Sequence, residues 1–304
     1  MRPAPDFAII GAMKAATSTL HDQLAAHAGF AMSDPKEPCF FSDDAVYARG
    51  FDWYESCFPT GNGSRLRGDS STHYSKLPDL PRAAARLHDR RSDARIVYVI
   101  RHPVDRLVSH FMHGWSEGWY GDSIEDAVAR DSSLVDYGRY AMQLRPWLER
   151  FGAERVLLVA YDGIRSRPQL VLDRVGRFLG AEEPLRWRDD LAPRNVSTER
   201  VKQGWFRRCL VDPAWATSLR RAIVPKSLRN TVRGRLQMQQ RPKLEEADRR
   251  RLEQVFDEDL AELSTWIGRP IDCATFVEAT VEAPLDWAVE ATRLFPDPHR
   301  EVAP

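Results

Sequence analysis

Short apolar runs alternate with amphipathic stretches over the first two thirds of the chain. Phe7–Ile10 is an apolar run that stops at Gly11, and residues 96–100 are all β-branched or aromatic. Runs without polar alternation predict strands buried on both faces. They place strands over 6–11, 95–101 and 155–160, and a further strand is read over 66–69. Helical spacing of apolar positions predicts helices over 17–28, 78–89, 103–115, 122–130, 134–151 and 168–179, with a long amphipathic helix over 244–267. The 168–179 helix carries its own punctuation: Pro168 opens it, Val171, Val175, Phe178 and Leu179 make one face, and Gly180 closes it. Residues 29–65 read as a loop region. Strands alternating with helices predict an α/β fold, a parallel sheet with helices on both faces.

Two strand ends carry candidate chemistry. The first strand runs into Gly11-Ala-Met-Lys14-Ala15-Ala16-Thr17-Ser18-Thr19-Leu20. Thr17, Ser18 and Thr19 are suited to cap a helix, and Leu20 and Leu24 follow at helical spacing. A strand turning into a helix N-terminus presents free N–H groups and a partial positive charge, which together hold anions. Lys14 adds a full charge to that loop. The loop is not a Walker A sequence, because the lysine follows the only glycine by three residues and two alanines come after it.

The second strand end is Arg95–Ile100 followed by Arg101-His-Pro103 and, two helical turns later, Ser109. Pro103 fits a first helical position and Asp105 suits a first turn. Ligands of open α/β sheets sit beyond the carboxyl ends of strands, so Lys14 and Arg101 reach the same edge.

The Lys-Ala-Ala-Thr-Ser-Thr-Leu loop resembles the 5′-phosphosulfate loop of sulfotransferases, often Lys-x-Gly-Thr-x-x-Leu. The arginine and serine eight residues apart resemble their 3′-phosphate motif. Gly68-Asp69-Ser70-Ser71-Thr72-His73-Tyr74 resembles a Gly-Glu-x-Ser-x-x-Tyr stretch found between those motifs. Residues 155–162 and 168–180 match the later strand and helix. The resemblance covers about residues 6–195 plus the 244–267 helix. It is greatest to the branch that holds heparan-sulfate-type and many bacterial sulfotransferases.

That resemblance implies a P-loop-like sulfotransferase fold and transfer of a sulfuryl group from 3′-phosphoadenosine 5′-phosphosulfate (PAPS) to a hydroxyl, leaving PAP. It implies that Lys14, Ala15, Ala16, Thr17, Ser18 and Thr19 hold the 5′-phosphate, with Lys14 stabilising the leaving group. Arg101 and Ser109 hold the 3′-phosphate. Glu37 stands two residues before Cys39-Phe40-Phe41, as a glutamate stands before His-Phe-Phe in the heparan-sulfate branch, where it is the general base. A histidine base, as in the cytosolic steroid and phenol branch, leaves His73, His102, His110 and His113 open. The branch has a lysine where this chain has Ser70, so a second cation is absent or comes from Lys36 or Lys76. Lys36, Asp69, Ser70 and His73 are candidate acceptor-side residues, and Asp69 serves equally well as a structural strand-end carboxylate. Two other classes remain: a P-loop-type kinase using ATP, and a non-catalytic nucleotide-binding protein of the same fold.

Composition narrows the setting. The 304 residues are 43% apolar with a formal net charge of zero, which gives no bulk attraction to nucleic acid. No run approaches the roughly 18 apolar residues of a membrane span, and the first residues contain no apolar leader. A cytoplasmic, bacterial protein is the expectation. Cys39, Cys57, Cys209 and Cys273 form no Cys-x-x-Cys pair, and no bound metal is expected. Residues 200–251 hold fifteen Lys or Arg against four Asp or Glu. They read as a basic helical insertion (200–243) within a single domain over 1–281, followed by a tail over 282–304. Acceptor identity and oligomeric state are not legible.

Overall fold

The central strands form where the sequence offers runs that can be buried on both faces. In the computed structural model, residues 5–59, 65–191 and 241–299 are described. The strands are β1 (Phe7–Gly11), β2 (Phe30–Met32), β3 (Leu66–Ser70), β4 (Arg95–Ile100) and β5 (Val156–Ala160). They make one parallel sheet in the order β2-β3-β1-β4-β5. Central β1 and β4 are sealed, with Ala8, Ile9, Ile10 and Ile96 to Ile100 all at 0% exposure.

Helices cover the sheet in two layers. On one side, α1 (Thr17–Ala25) packs on β1 and β3, while α10 (Pro168–Leu179) packs on β4 and β5. The chain after α10 is tied back to α1 by Gln23, whose amide exchanges two 2.8 Å hydrogen bonds with the Arg188 backbone. On the other side, α8 (Tyr140–Phe151) packs on β4 and β5, with α4 (Ala83–Arg90) and α11 (Glu246–Ile267) against it. Asp259 of α11 accepts from the N–H groups of Ala141 and Met142 at 2.8 and 3.0 Å. It thereby satisfies two of the orphan donors at the start of α8. The cap fixes Tyr140, whose hydroxyl donates to the Arg101 carbonyl and accepts from the Arg101 N–H.

The structure departs from the expected elements where tertiary packing outweighs local pattern. Residues 29–65 are not a plain loop: they hold β2 and two short helices, α2 (Asp44–Tyr47) and α3 (Phe51–Ser56). β2 is three residues long and pairs only with β3, too brief to leave a periodic signature. The expected 78–89 helix starts at Ala83, because Pro81 disfavours helical backbone at Leu80. The expected 134–151 helix breaks into α7 (Ser133–Asp136) and α8. At the break lies Gly138, where a Cβ would sit 3.1 Å from Nε of the fully buried Arg106. A helical turn α9 (Tyr161–Ser166) follows β5 directly.

α5 (Pro103–Glu117) and α6 (Ile124–Arg130) lie where expected. Beyond α11 come α12 (Phe276–Glu282) and α13 (Val289–Leu294). Leu285, Ala291 and Phe295 are buried, and the Phe295 carbonyl accepts from the Ala153 N–H. The basic 200–243 segment lies outside the described residues except for 241–243.

At the carboxyl end of β3, Asp69 is a buried carboxylate at 0% exposure. It accepts from the Tyr54 hydroxyl at 2.8 Å, the Tyr74 hydroxyl at 2.5 Å and the Ser71 hydroxyl at 2.7 Å. Asp69→Ala leaves those hydroxyls without their acceptor, and unsatisfied buried groups cost about 1–3 kcal/mol each. Partial rearrangement makes a total loss of roughly 2–5 kcal/mol the expectation in urea unfolding. A loss below about 1 kcal/mol would show that the hydroxyls find other partners.

Candidate active site

The sheet's carboxyl edge gathers the residues marked in the sequence. β1 ends at Gly11 and leads into the Lys14 loop; β4 ends at Ile100, next to Arg101. Strand order reverses around β1, which has β3 on one side and β4 on the other. A crevice at such a switch point is where α/β sheets place ligands. Gly11 is required there: a Cβ would fall 2.0 Å from Ser75 Oγ, which itself donates to the Ile10 carbonyl at 2.8 Å.

The loop is shaped for an anion by its backbone. Lys14 has φ 71° and Ala16 φ 66°, two left-handed residues in a span of three. Turns of this kind turn successive N–H groups toward one point. The residue capping α1 is Ala16, which has no side-chain acceptor, rather than one of the hydroxyl residues expected to cap. Thr17, Ser18 and Thr19 instead form the first turn of the helix. A capping oxygen would occupy the donors that a bound anion needs.

Arg101 is brought to the same loop. Its Nη1 donates to the Lys14 carbonyl at 3.1 Å, and its guanidinium lies 4.5 Å over the Tyr161 ring. It is 9% exposed, and its Nε has no hydrogen-bond partner among the described residues. A buried guanidinium N–H without an acceptor is costly and fits a bound anion. Ser109 lies on α5 and is 6% exposed. The Arg101–Lys14 hydrogen bond thus joins the end of β4 to the loop between β1 and α1.

The second cluster surrounds Glu37. Two more left-handed residues, Glu37 (φ 63°) and Cys39 (φ 56°), bend the segment between β2 and α2. Strain of this kind, about 1–3 kcal/mol per residue, persists only where the surroundings enforce it. Here the Glu37 N–H bonds the Ser70 carbonyl at 3.1 Å, the Cys39 N–H bonds Ser71 Oγ at 3.1 Å, and the Phe41 N–H reaches the Tyr74 hydroxyl at 3.4 Å. Ser71 and Tyr74 are the hydroxyls that Asp69 holds. Phe40 stacks on Tyr54 at 4.6 Å between centroids, which anchors the far end of the bend.

Glu37 Oε1 pairs with Lys36 Nζ at 2.5 Å, and Oε2 accepts from the Thr72 hydroxyl at 3.1 Å. Its side chain keeps 33% exposure. Burial works to raise its pKa, but the Lys36 ammonium and the Thr72 hydroxyl outweigh it and hold the carboxyl below its ordinary value. Glu37 is therefore an ionised, partly open carboxylate at neutral pH. Lys76 also acts on it through space; burial pushes that ammonium below its usual range. Both lysines weighed as substitutes for the missing family lysine thus lie near Glu37.

The remaining expected residues separate. Asp69 and Ser70 are fully buried, so neither side chain is open to an acceptor, and Asp69 has the structural role. Burial raises its pKa against the pull of its three hydroxyl partners. His102 is taken up by structure: one ring nitrogen lies 2.9 Å from the Cys273 carbonyl and the other caps α5. His110 is buried against Tyr137 and pushed down to about 2, by burial first and then by Arg106. His113 packs edge-on to the exposed Trp119. His73 is the histidine beside Glu37: burial and Lys76 lower its pKa, against the pull of Glu37. Thr72 and Tyr161 were missed as site residues, since each reaches the site through a contact made only by folding.

The sulfotransferase domain model matches residues 4–264. The chain belongs to the sulfotransferase family. Among curated sulfotransferases, it is 30% identical over 185 residues to mouse heparan sulfate glucosamine 3-O-sulfotransferase 3B1, covering 58% of this chain and 46% of that protein. It is 27% identical over 195 residues to the Caenorhabditis elegans bifunctional heparan sulfate N-deacetylase/N-sulfotransferase 1, covering 59% of this chain and 22% of that one. The chain thus matches less than half the length of either relative. A sulfotransferase structure from Alicyclobacillus acidocaldarius superposes with a TM-score of 0.62 at 23% identity, covering 88% of this chain and 97% of that one. The parallel sheet and its flanking helices are the shared fold.

The position that family members often fill with glycine is Ala16 here, and its φ of 66° is one that glycine adopts without a Cβ penalty. Ala16→Gly relieves about 1–2 kcal/mol of left-handed strain and returns part of it as unfolded-chain entropy. A net gain of about 0.5–1 kcal/mol in urea unfolding is expected. A loss of stability would show that the Ala16 methyl is worth more in packing than its strain costs.

Proposed function

We propose that this sulfotransferase moves a sulfuryl group from PAPS to a hydroxyl of a glycan or smaller acceptor. The observation that carries the reading is the junction of Arg101 with the Lys14 loop: a buried guanidinium bonded to the loop's backbone, its Nε without a partner among the described residues, beside a helix N-terminus with no side-chain cap. Family membership and the heparan sulfate relatives support it.

Bound there, PAPS would supply sulfate already activated on a phosphate leaving group. Residues 15–19 would hold the 5′-phosphate through backbone N–H groups and the Thr17 hydroxyl. Arg101 and Ser109 would read the 3′-phosphate through a charge-assisted fork and a hydroxyl. Lys14 would supply a point charge for the negative charge that develops on the bridging oxygen. Glu37 takes the acceptor hydroxyl's proton, and Lys36 keeps it ionised and ready to do so. These cations and donors provide countercharge, so the transfer itself does not require a metal ion.

PAP stabilises the protein more than AMP does if Arg101 and Ser109 read the 3′-phosphate. A ligand at one hundred times its dissociation constant adds about 2.7 kcal/mol of apparent stability. Thermal-shift titrations with PAP, AMP and ATP with magnesium measure the preference, and Arg101→Ala should abolish most of it. Equal shifts for PAP and AMP in the unaltered protein would overturn the assignment, and a preference for ATP with magnesium would point to a kinase.

Glu37→Gln keeps shape and most hydrogen bonding but cannot accept the proton. Turnover with an acceptor found by mass screening for sulfate addition should fall about 10²–10⁴-fold. PAP affinity should change no more than a few-fold. Retained turnover in Glu37→Gln, with loss in a His73 variant, would transfer the role to histidine.

A further inference from the structure

The bend that presents Glu37 also gathers three unlike metal-ligating groups. Glu37, Cys39 and His73 each offer one ligand atom, and these atoms all lie within 4.8 Å of one another. All three residues are partly exposed. We propose that Glu37, Cys39 and His73 form a zinc site whose occupation shuts off the enzyme by taking its general base.

The donor set selects the ion. One thiolate, one imidazole and one carboxylate make a mixed sulfur–nitrogen–oxygen set, which suits Zn²⁺ and not Mg²⁺ or Ca²⁺, ions that prefer oxygen. Three protein ligands leave a fourth tetrahedral position for water or an acceptor oxygen. Ligand atoms around tetrahedral zinc lie about 3.3–3.8 Å apart for bonds of 2.0–2.3 Å. Side-chain rotations of an ångström or less close the present cluster onto an ion.

The backbone is already committed to this arrangement. Left-handed Glu37 and Cys39, two residues apart, bring carboxylate and thiol together. Both are pinned to the strand β3 end, Glu37 through Ser70 and Cys39 through Ser71. His73 comes from the 3₁₀ turn Thr72–Ser75 that follows directly. Little ordering is left for the metal to impose.

Opposing effects set the strength. Zinc must displace Lys36 from Glu37, and Lys76 lies close enough to repel it. Burial, with Glu37 and Asp69, pushes the Cys39 thiol up to about 12. Zinc binding must therefore release the Cys39 proton to solvent as the Zn–S bond forms. A dissociation constant on the order of 1–10 μM is expected, far weaker than a closed four-ligand site. That strength makes the site regulatory and reversible.

The binding claim stands on the geometry alone; the inhibition claim also rests on Glu37 being the base. Two arms keep them apart. In the first, the full chain, reduced with a phosphine and freed of metal, is titrated with Co²⁺ and with Zn²⁺ against a chromogenic chelator. A thiolate-to-cobalt charge-transfer band should appear, with one tight zinc equivalent. Cys39→Ser should abolish the band and weaken zinc at least tenfold, while its melting curve and PAP-induced shift stay unaltered. His73→Gln should weaken zinc comparably and serves if Cys39→Ser does not fold. In the second arm, micromolar zinc should inhibit sulfotransfer, with recovery on adding EDTA, and Cys39→Ser should be active and resistant. Absence of the band, or equal zinc affinity in both variants and the parent, overturns the site. Zinc binding without inhibition removes the regulatory claim and leaves the site. Failure of the PAP shift in the parent protein counts against sulfotransfer instead.

Discussion

One buried carboxylate sets the geometry on which the candidate chemistry depends. Asp69 sits at the carboxyl end of β3 with no solvent exposure and is held by three hydroxyls. Burying an ionised carboxylate is expensive unless its lone pairs are satisfied. Tyr54, Tyr74 and Ser71 satisfy them, and Asp69 in turn dictates where those side chains stand. Ser71 passes the constraint to the Cys39 N–H and Tyr74 to the Phe41 N–H. The strained bend that presents Glu37 is thereby fixed from beneath, without Asp69 touching the reacting groups.

The edge proposed to hold the nucleotide is built differently, from backbone shape and buried positive charge. Left-handed Lys14 and Ala16, a helix N-terminus without a side-chain cap, and Arg101 meet at one edge. Arg106 lies deeper, fully buried among Tyr98, Tyr137 and Tyr140, and donates to the Leu134 carbonyl. Its field helps to keep His110 neutral. Asp259, Tyr140 and the Arg101 backbone form a relay from α11 to this edge, so α11 helps hold Arg101 in place. A site assembled from stiff elements and paid for elsewhere in the fold is suited to positioning and electrostatic stabilisation.

On the proposed readings the Glu37 cluster unites two chemistries: the carboxylate held by Lys36 would accept a proton, and beside a thiol and an imidazole it would also hold a metal ion. Cys39 stands where the heparan-sulfate branch resembled by this chain has histidine. The exchange brings sulfur next to Glu37 while the phenylalanines that anchor the bend remain.

Periodicity, punctuation and motif spacing were enough to locate the strands β1, β4 and β5, the helices α5 and α10, and the pairing of Lys14 with Arg101 at one edge. These are local signals: an apolar run long enough to bury both faces, a proline at a helix start, a charged residue at a strand end. The amino-acid order also marked Glu37 through the resemblance carried by its place two residues before Cys39-Phe40-Phe41. Tertiary structure decided what depends on distant partners. β2 exists because β3 offers an edge, and the α7–α8 break falls at Gly138, which packs closely against Phe256 and Arg106. Asp69 is a hub and not an acceptor contact, because Tyr54 arrives from a helix that left no clear period. Left-handed backbone at four non-glycine residues, Lys14, Ala16, Glu37 and Cys39, is likewise enforced by hydrogen bonds and packing. Local propensity argues against it, so no reading of the chain alone could have supplied it.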